Sequence, residues 1–247
     1  MDCKLTISSD EEYGNYDFTE ILIGGMYLIR LSIAADDFND KKRSLFATMI
    51  WNGAKVLAEF LSEDFNVKKF IRRKSIIEFG AAAGLPSIAC YKMGAACVCA
   101  SDYPSSSVIV NLSDNITRNT NNSTAVEAYS KIGCISYSWG SNVDELVAFN
   151  NGTLYDVVIA SECLWHHESH GIFLQSVAAV LRDNGTFILS YSHHIPGMES
   201  ADDAFFAEAA RHGFGVANRK TVLSKHMWSE KEVEIYIVEL ILHKTLL

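Results

Sequence analysis

The residues with the clearest chemical potential form a small-residue loop between a strand and a helix, Ile76-Ile77-Glu78-Phe79-Gly80-Ala81-Ala82-Ala83-Gly84-Leu85. Small side chains let the backbone approach a ligand closely, and the start of the helix offers unpaired N–H groups. Asp102 follows 22 residues after Gly80, at the tip of the next predicted strand. An acid at that position can accept hydrogen bonds from both hydroxyls of a ribose. Glycine and acid at neighbouring strand tips therefore indicate an adenosine-binding site.

Two cofactor classes share this arrangement, and a plain strand, turn and helix without a ligand is the third interpretation. A dinucleotide-binding enzyme uses Gly-x-Gly-x-x-Gly, but here the spacing is Gly80-x-x-x-Gly84 and Ala82 replaces the second glycine. A methyltransferase has an acid at the end of the first strand, and Glu78 supplies one. Asp102 also has a structural alternative, because it could cap the following helix, with Pro104 at an early helical position.

Aromatic and histidine residues follow the later predicted strands. Trp139 ends the third strand, where its ring could stack on an adenine or close the core. The histidine spacings could hold a metal, but no cysteine or carboxylate completes a known pattern, so we expect no metal. Strand carboxyl ends are where open α/β sheets place function, which is the favoured interpretation of these histidines: His166, His167, His170, His193 and His194.

The elements that position these residues alternate between strand and helix after residue 74. Alternation predicts a parallel sheet covered on both faces. Two closing segments without a helix between them, 215–223 and 232–242, predict an antiparallel pair. The expected fold class is α/β, a Rossmann-like, seven-stranded, mostly parallel sheet with an antiparallel C-terminal strand. The other predicted strands are 75–79, 96–101, 132–138, 156–161 and 186–191, and the predicted helices are 83–93, 105–117, 170–181 and 201–211.

Residues 1–73 are interpreted as an N-terminal extension packed on a domain that covers residues 74–247. The extension has an extended stretch at 26–34 and a helix at about 45–61, which places Trp51 on the helix surface. It is too short and too apolar to stand alone.

Composition narrows the class of protein. Lys and Arg total 21 against 30 Asp and Glu, a formal net charge of −9, which argues against binding to nucleic acid or to anionic membranes. No apolar run approaches the 20 or so residues that a membrane span needs. The N-terminus has the character of neither a secretory signal nor a transit peptide. Six cysteines without framework spacing are typical of a reducing compartment, so we expect a cytoplasmic protein.

Several sequence motifs that occur together make the chain similar to a known family. They are Met49-Ile50-Trp51-Asn52-Gly53-Ala54-Lys55, the loop from Glu78 to Ser87, Asp102-Tyr103-Pro104, Trp139-Gly140, His167 with His170, and Ser192-His193-His194 with Pro196. Together they resemble the seven-β-strand S-adenosylmethionine-dependent methyltransferases, in the branch of lysine and N-terminal protein methyltransferases. Within that branch the chain most resembles fungal elongation factor 1A methyltransferases, often described as nicotinamide N-methyltransferase-like. The resemblance covers roughly residues 40–242.

The resemblance implies S-adenosylmethionine as the cofactor and assigns residues to it. Tyr103 and Trp139 would flank the adenine, and Asp102 would hold the ribose. Glu162, His167 and His193 are the candidates for positioning the methyl acceptor. The chain departs from the family at Glu162, His166 and Ile195, which stand where Asp, Asn and Arg are usual, and this affects substrate choice more than cofactor binding. The implied cofactor residues are Trp51, Gly80, Ala81, Ala82, Asp102, Tyr103, Trp139 and Ser161.

Three functions follow as hypotheses. The first is a protein N-methyltransferase, expected to be a monomer, acting on a lysine and/or an N-terminal amine, with elongation factor 1A as candidate substrate. The acceptor must be neutral, and a lysine of pKa about 10.4 is less than about 1% neutral near pH 7.5, whereas an α-amine of pKa about 7.7–8.0 is tens of per cent neutral. The second is a small-molecule methyltransferase of the nicotinamide type. The third is a non-catalytic adaptor that binds the cofactor.

Overall fold

A seven-stranded sheet forms the centre of the computed structural model, which describes residues 6–8, 18–34, 47–120, 130–226, 229 and 231–244. The strands are β1 (Thr6–Ser8), β2 (Phe18–Ile23), β3 (Tyr27–Leu31), β4 (Ser75–Phe79), β5 (Cys97–Asp102), β6 (Lys131–Ser136), β7 (Tyr155–Ser161), β8 (Leu181–Tyr191), β9 (Phe214–Lys225) and β10 (Glu232–Leu242).

The order of the strands matches the predicted fold class. Across the large sheet the order is β6-β5-β4-β7-β8-β10-β9, and β4 to β8 are parallel. β10 runs antiparallel to both β8 and β9. The α/β fold with a mostly parallel sheet and an antiparallel C-terminal strand is therefore confirmed. Since parallel strands share one direction, the carboxyl ends of β4 to β8 meet at one edge.

Helices cover both faces of this sheet. They are α1 (Asn52–Ser62), α2 (Asp64–Asn66, continued by a π-helical turn Val67–Ile71), α3 (Leu85–Lys92), α4 (Ser106–Thr120), α5 (Asp144–Phe149), α6 (His170–Val180, preceded by a 3₁₀ turn His167–Ser169) and α7 (Glu199–Arg211). Among the described residues, none of these helices has the length and apolar character that crossing a bilayer requires.

Each strand of the centre feeds two cores because successive side chains point to opposite faces. Ile76 of β4 packs in the core beneath α1 and α3, together with Leu57 and Ile88. Its neighbour Ile77 packs in the core beneath α6 and α7, together with Phe173. Burial on both faces explains why these strands are continuous apolar runs in the sequence.

The N-terminal region packs directly on one of these cores. Ile21 of β2 and Ile29 of β3 are fully buried in the core beneath α1 and α3. Two asparagines of α4 accept hydrogen bonds from the backbone around the end of β3. Arg30 N–H donates to Asn119 Oδ1 (2.9 Å), and Ser32 N–H donates to Asn115 Oδ1 (2.8 Å). The division of the chain at residues 73 and 74 stays a prediction.

The helix predicted at about 45–61 begins later than expected. Residues 45 and 46 lie outside the described residues, and α1 starts at Asn52. Trp51 precedes it in an extended conformation (φ −66°, ψ 152°), and a bend at Thr48 and Met49 separates α1 from the helical residue Ala47. This later start leaves Trp51 at the helix entrance instead of on its side.

Glu78, the residue before the last in β4, is fully buried, and its carboxyl group caps the start of α3. Ser87 N–H donates to Glu78 Oε2 at 2.9 Å, and the Ser87 hydroxyl donates to the same oxygen. Among the described residues, Glu78 Oε1 has no hydrogen-bond partner. Burial raises the pKa of Glu78 to about 8, against the opposing effect of the Ser87 bonds and with a further contribution from the charge of Asp102.

A raised pKa makes the stability of the apo protein pH-dependent. The folded state keeps the Glu78 proton up to about pH 8, whereas the unfolded chain loses it near pH 4.5. The free energy of unfolding therefore falls as pH rises through this window. Glu78→Gln, which mimics the neutral acid, should lack this fall and become more stable than the wild type by on the order of 3–5 kcal/mol at pH 8 relative to pH 5.

Urea unfolding of both proteins at pH 5 and pH 8 measures this difference. A gap between variant and wild type that is the same at both pH values would contradict the neutral state of Glu78.

Candidate active site

A cavity of about 470 Å³ opens at the carboxyl ends of β4 to β7, with one wall from the start of α1. A volume of this size is ordinary for a small-molecule or cofactor site. The structure brings nine of the sequence-predicted residues together as lining residues: Trp51, Gly80, Ala81, Ala82, Asp102, Tyr103, Trp139, Ser161 and Glu162. Their roles toward a ligand stay predictions.

The small-residue loop after β4 adopts a backbone that few residues tolerate. Gly80 has φ +70° and Gly84 φ +83°, and Ala82 between them has φ +46°. A Cβ atom on Gly80 would lie 2.8 Å from the Sγ atom of Cys163. Ala82, which replaces a glycine of the dinucleotide pattern, thus takes the left-handed conformation for which glycine is normally needed. The five residues from Gly80 to Gly84 all line the cavity, and their small size allows a ligand to approach the backbone closely.

Asp102 closes this loop from the tip of β5. The Ala82 N–H donates to Asp102 Oδ2 at 2.6 Å, and the Tyr103 N–H donates to Oδ1 at 2.7 Å. Burial raises the pKa of Asp102, although both backbone bonds oppose that shift. Helix α4 begins only at Ser106, so the carboxylate binds the loop and not that helix. Each carboxylate oxygen has a second lone pair, which leaves Asp102 able to accept further hydrogen bonds from the cavity side.

Aromatic rings form the wall beyond Asp102. Tyr103 is 39% exposed and lines the cavity. Trp139 also lines it, and its ring centroid lies 4.5 Å from that of Phe173 on α6. The indole therefore packs against the core and is also part of the cavity wall, and its stacking on an adenine stays a prediction.

Glu162, directly after β7, occupies the opposite wall with a left-handed backbone (φ +53°). Its buried carboxylate receives Gly53 N–H on Oε1 (3.0 Å) and Ser192 N–H on Oε2 (2.9 Å). The Ser192 hydroxyl lies 3.2 Å from Oε1, and His194 Nε2 lies 2.8 Å from Oε2. One carboxylate thus joins the end of β7, the start of α1 and the segment after β8.

His194 is the histidine that this network brings into the cavity wall. Its side chain is 26% exposed, and its ring packs edge-on against Trp51 with the centroids 4.9 Å apart. Burial alone would lower the pKa of His194, but the hydrogen bond and negative charge of Glu162 outweigh it and raise that pKa.

His167 and His193, both predicted as acceptor-positioning residues, do not line the cavity. Both rings bind the buried carboxylate of Asp202 on α7, His167 through Nε2 at 2.8 Å and His193 through Nδ1 at 2.7 Å. They therefore join the segments after β7 and β8 to α7. In the described part of the chain, no group of three or more His, Cys, Asp or Glu residues is arranged to hold a metal ion.

The sequence contains a signal that would have found His194. Residues that alternate along an extended chain point to opposite sides. In the segment after β8, Ser192 and His194 bind Glu162, and His193 between them binds Asp202. The lining of the cavity also includes residues that motif reasoning did not assign to it, Trp165 and Ile172 among them, and it includes His166, one of the histidines predicted at the strand ends.

Comparison with known proteins identifies the class to which this fold and cavity belong. The family profile described as "Lysine methyltransferase" matches residues 34–212, and the chain belongs to this family. The protein N-terminal and lysine N-methyltransferase EFM7 of Yarrowia lipolytica is 30% identical over 178 residues, which are 68% of this chain and 64% of that protein. Its counterpart in Schizosaccharomyces pombe is 30% identical over 178 residues, with coverage of 70% and 66%. The matched part thus spans just under two thirds of each relative.

Solved structures agree with the fold. The glycopeptide N-methyltransferase MtfA, crystallised with sinefungin, superposes with a TM-score of 0.53 at 14% identity and covers 78% of this chain and 95% of its own. At that identity the likeness concerns the fold alone.

We expect the Asp102 carboxylate to contribute both to the stability of the fold and to the affinity for the cofactor. One variant measures the two contributions separately. Asp102→Ala removes the acceptor of two backbone N–H groups, so the free energy of unfolding of the apo protein should fall by about 1–3 kcal/mol. If the carboxylate also binds a ribose, affinity for S-adenosylhomocysteine should fall by about one to three orders of magnitude. Calorimetric titration and thermal unfolding measure the two effects.

Asp156 offers a matched control. It accepts hydrogen bonds from Ser75 N–H (3.0 Å) and Arg182 Nε (2.9 Å) at the opposite end of the sheet. Asp156→Ala should lower stability and leave the affinity for S-adenosylhomocysteine unchanged. Equal affinities of the wild type and Asp102→Ala would refute the ribose role.

Proposed function

We propose that this protein is an S-adenosylmethionine-dependent N-methyltransferase that acts on an amine of a protein substrate, a lysine and/or an N-terminal amine. The observation that carries this proposal is the cavity at the strand carboxyl ends, which is lined both by the small-residue loop and by Asp102, whose carboxylate binds that loop. Membership in the lysine methyltransferase family supports the same chemistry.

The residues of the cavity fit this cofactor. Asp102 retains acceptor capacity for ribose hydroxyls, and Tyr103 and Trp139 offer flat apolar surfaces for an adenine. Gly80 and Ala82 leave the backbone open to the methionine half. When bound, S-adenosylmethionine supplies an electrophilic methyl group on a sulfonium.

The remaining wall is suited to an amine. Trp51 and Trp165 line it, and aromatic faces attract ammonium groups. Glu162 and His194 lie on the same side and provide negative charge and an imidazole. The protein's own contribution is to align the acceptor, to exclude water and to receive a proton, because only a neutral amine attacks the methyl group.

A protein substrate accords with the surface around the cavity. Large apolar side chains are exposed at Ile172 on the cavity wall (46%) and at Ile195 directly after His194 (43%). The net charge of −9 favours a basic partner. Two relatives have names that specify protein N-terminal and lysine methylation. Elongation factor 1A is our candidate substrate, and we expect a cytoplasmic monomer that needs neither nucleic acid nor membrane.

Incubation with radiolabelled S-adenosylmethionine and whole-cell lysate tests the proposal. We expect a labelled protein band whose methyl group mass spectrometry places on a lysine or an N-terminus. The Asp102→Ala variant should lose the label at cofactor concentrations below its weakened Kd, and Asp156→Ala should keep it.

Two other outcomes would contradict this function. Label confined to small molecules would indicate a nicotinamide-type methyltransferase. Binding of S-adenosylhomocysteine without any transfer would indicate a non-catalytic adaptor.

A further inference from the structure

The carboxylate of Glu162 has no acceptor capacity left for a substrate. A carboxylate offers about four lone-pair sites. Four donors occupy them: the N–H groups of Gly53 and Ser192, the Ser192 hydroxyl and His194 Nε2. An incoming ammonium group would have to displace one of these buried donors, which is costly. Glu162 is therefore suited to orient other groups and not to bind the acceptor itself.

The group that Glu162 orients toward the cavity is the imidazole of His194. Because an ionised carboxylate can only accept, Nε2 of His194 must carry the hydrogen of the 2.8 Å bond. The neutral ring then has its lone pair on Nδ1, as in other carboxylate–histidine pairs in which the acid fixes the tautomer. The edge-on contact with Trp51 holds the ring in place from the other side.

We propose that His194, oriented by Glu162, takes the proton from the substrate ammonium; this rests on the proposed function. In that step the N–H bond of the ammonium breaks and an Nδ1–H bond forms on His194. The neutral amine then uses its lone pair to form the new N–CH₃ bond, and the S–CH₃ bond breaks with its electrons remaining on sulfur. The imidazolium afterwards releases its proton to water.

Other histidines near the cavity lack this arrangement. The ring of His166 lines the wall, but its Nδ1 lies 2.5 Å from the Ser169 hydroxyl and no carboxylate supports it among the described contacts. The two rings on Asp202 bind that carboxylate away from the lining residues. Only His194, within the described part of the chain, combines a carboxylate partner with a place in the cavity wall.

The charges around His194 favour its role as a proton acceptor. Glu162 at the end of β7 and Asp202 on α7 are the carboxylates that act on it, and both raise its pKa. A raised pKa makes the imidazole a better acceptor for the proton of a substrate ammonium group.

His194→Gln tests the proton transfer, because the glutamine amide can still donate to Glu162 and cannot accept and release a proton. The probe is lysate protein labelled in the experiment above, assayed from pH 6.5 to pH 9.5. At pH 7 we expect the transfer rate to fall by about 10-fold for an α-amine, which is already about a tenth neutral, and by about 10²- to 10⁴-fold for a lysine. The deficit should shrink as the pH rises, because more of the acceptor is then already neutral.

Two measurements separate this role from a structural one. Calorimetric affinity for S-adenosylhomocysteine and the apo melting temperature should match the wild type. A deficit that is equal at every pH, or a variant as active as the wild type at pH 7, would overturn the role of His194.

Failure of this role and failure of the proposed function give different results. Labelled lysate protein with the wild type, together with a His194→Gln variant that is equally active at every pH, would overturn the role of His194 and leave the proposed function standing. Absence of label with the wild-type protein would overturn the proposed function and this inference together.

Discussion

The carboxylate of Glu162 is the interaction on which the arrangement of the site depends. It lies where three separate segments must meet, the end of β7, the start of α1 and the chain after β8. The Gly53 peptide is held on both sides, since its N–H binds Glu162 and its C=O accepts the Ser190 hydroxyl at 2.9 Å. A Cβ atom on Gly53 would lie 2.4 Å from Glu162 Oε1, so the closure requires glycine. The Glu162 carboxylate therefore connects the chain next to Trp51 with the segment that carries His194.

A second buried carboxylate, that of Asp202, fixes the same segment after β8 from its other side. Asp202 holds His193 and His167, while Glu162 holds His194 and Ser192. The extended segment after β8 is thereby fixed through alternate side chains on both of its faces. Two buried acids thereby anchor the segment after β8, and this segment contributes His194 to the part of the cavity wall proposed for the methyl acceptor.

The cofactor half of the site could be predicted from the sequence because its determinants are local. The loop from Glu78 to Leu85 and Asp102 lie at the tips of adjacent strands, and sheet topology alone brings them together. The acceptor half depends on contacts such as that of Gly53 with Glu162, 109 residues apart, which no periodicity encodes. The sequence therefore points to His193 as an acceptor-positioning residue, whereas the structure places its neighbour His194 in the cavity wall.

In the fold, the strands after residue 74 are predictable as apolar runs. The sequence pattern of α1 starts earlier than the helix itself does, and the sequence analysis does not predict the short helix α5.

Amide hydrogen exchange at Gly53 and Ser192 tests most directly whether Glu162 ties the site together. In Glu162→Gln one of the two acceptor oxygens becomes an NH₂ donor, so the amide that loses its acceptor, Gly53 or Ser192, should exchange about 10- to 100-fold faster than in the wild type. The Ser75 amide, which donates to Asp156 at the far end of the sheet, should keep its protection. Unchanged protection at Gly53 and Ser192, or an equal loss at Ser75, would contradict the account.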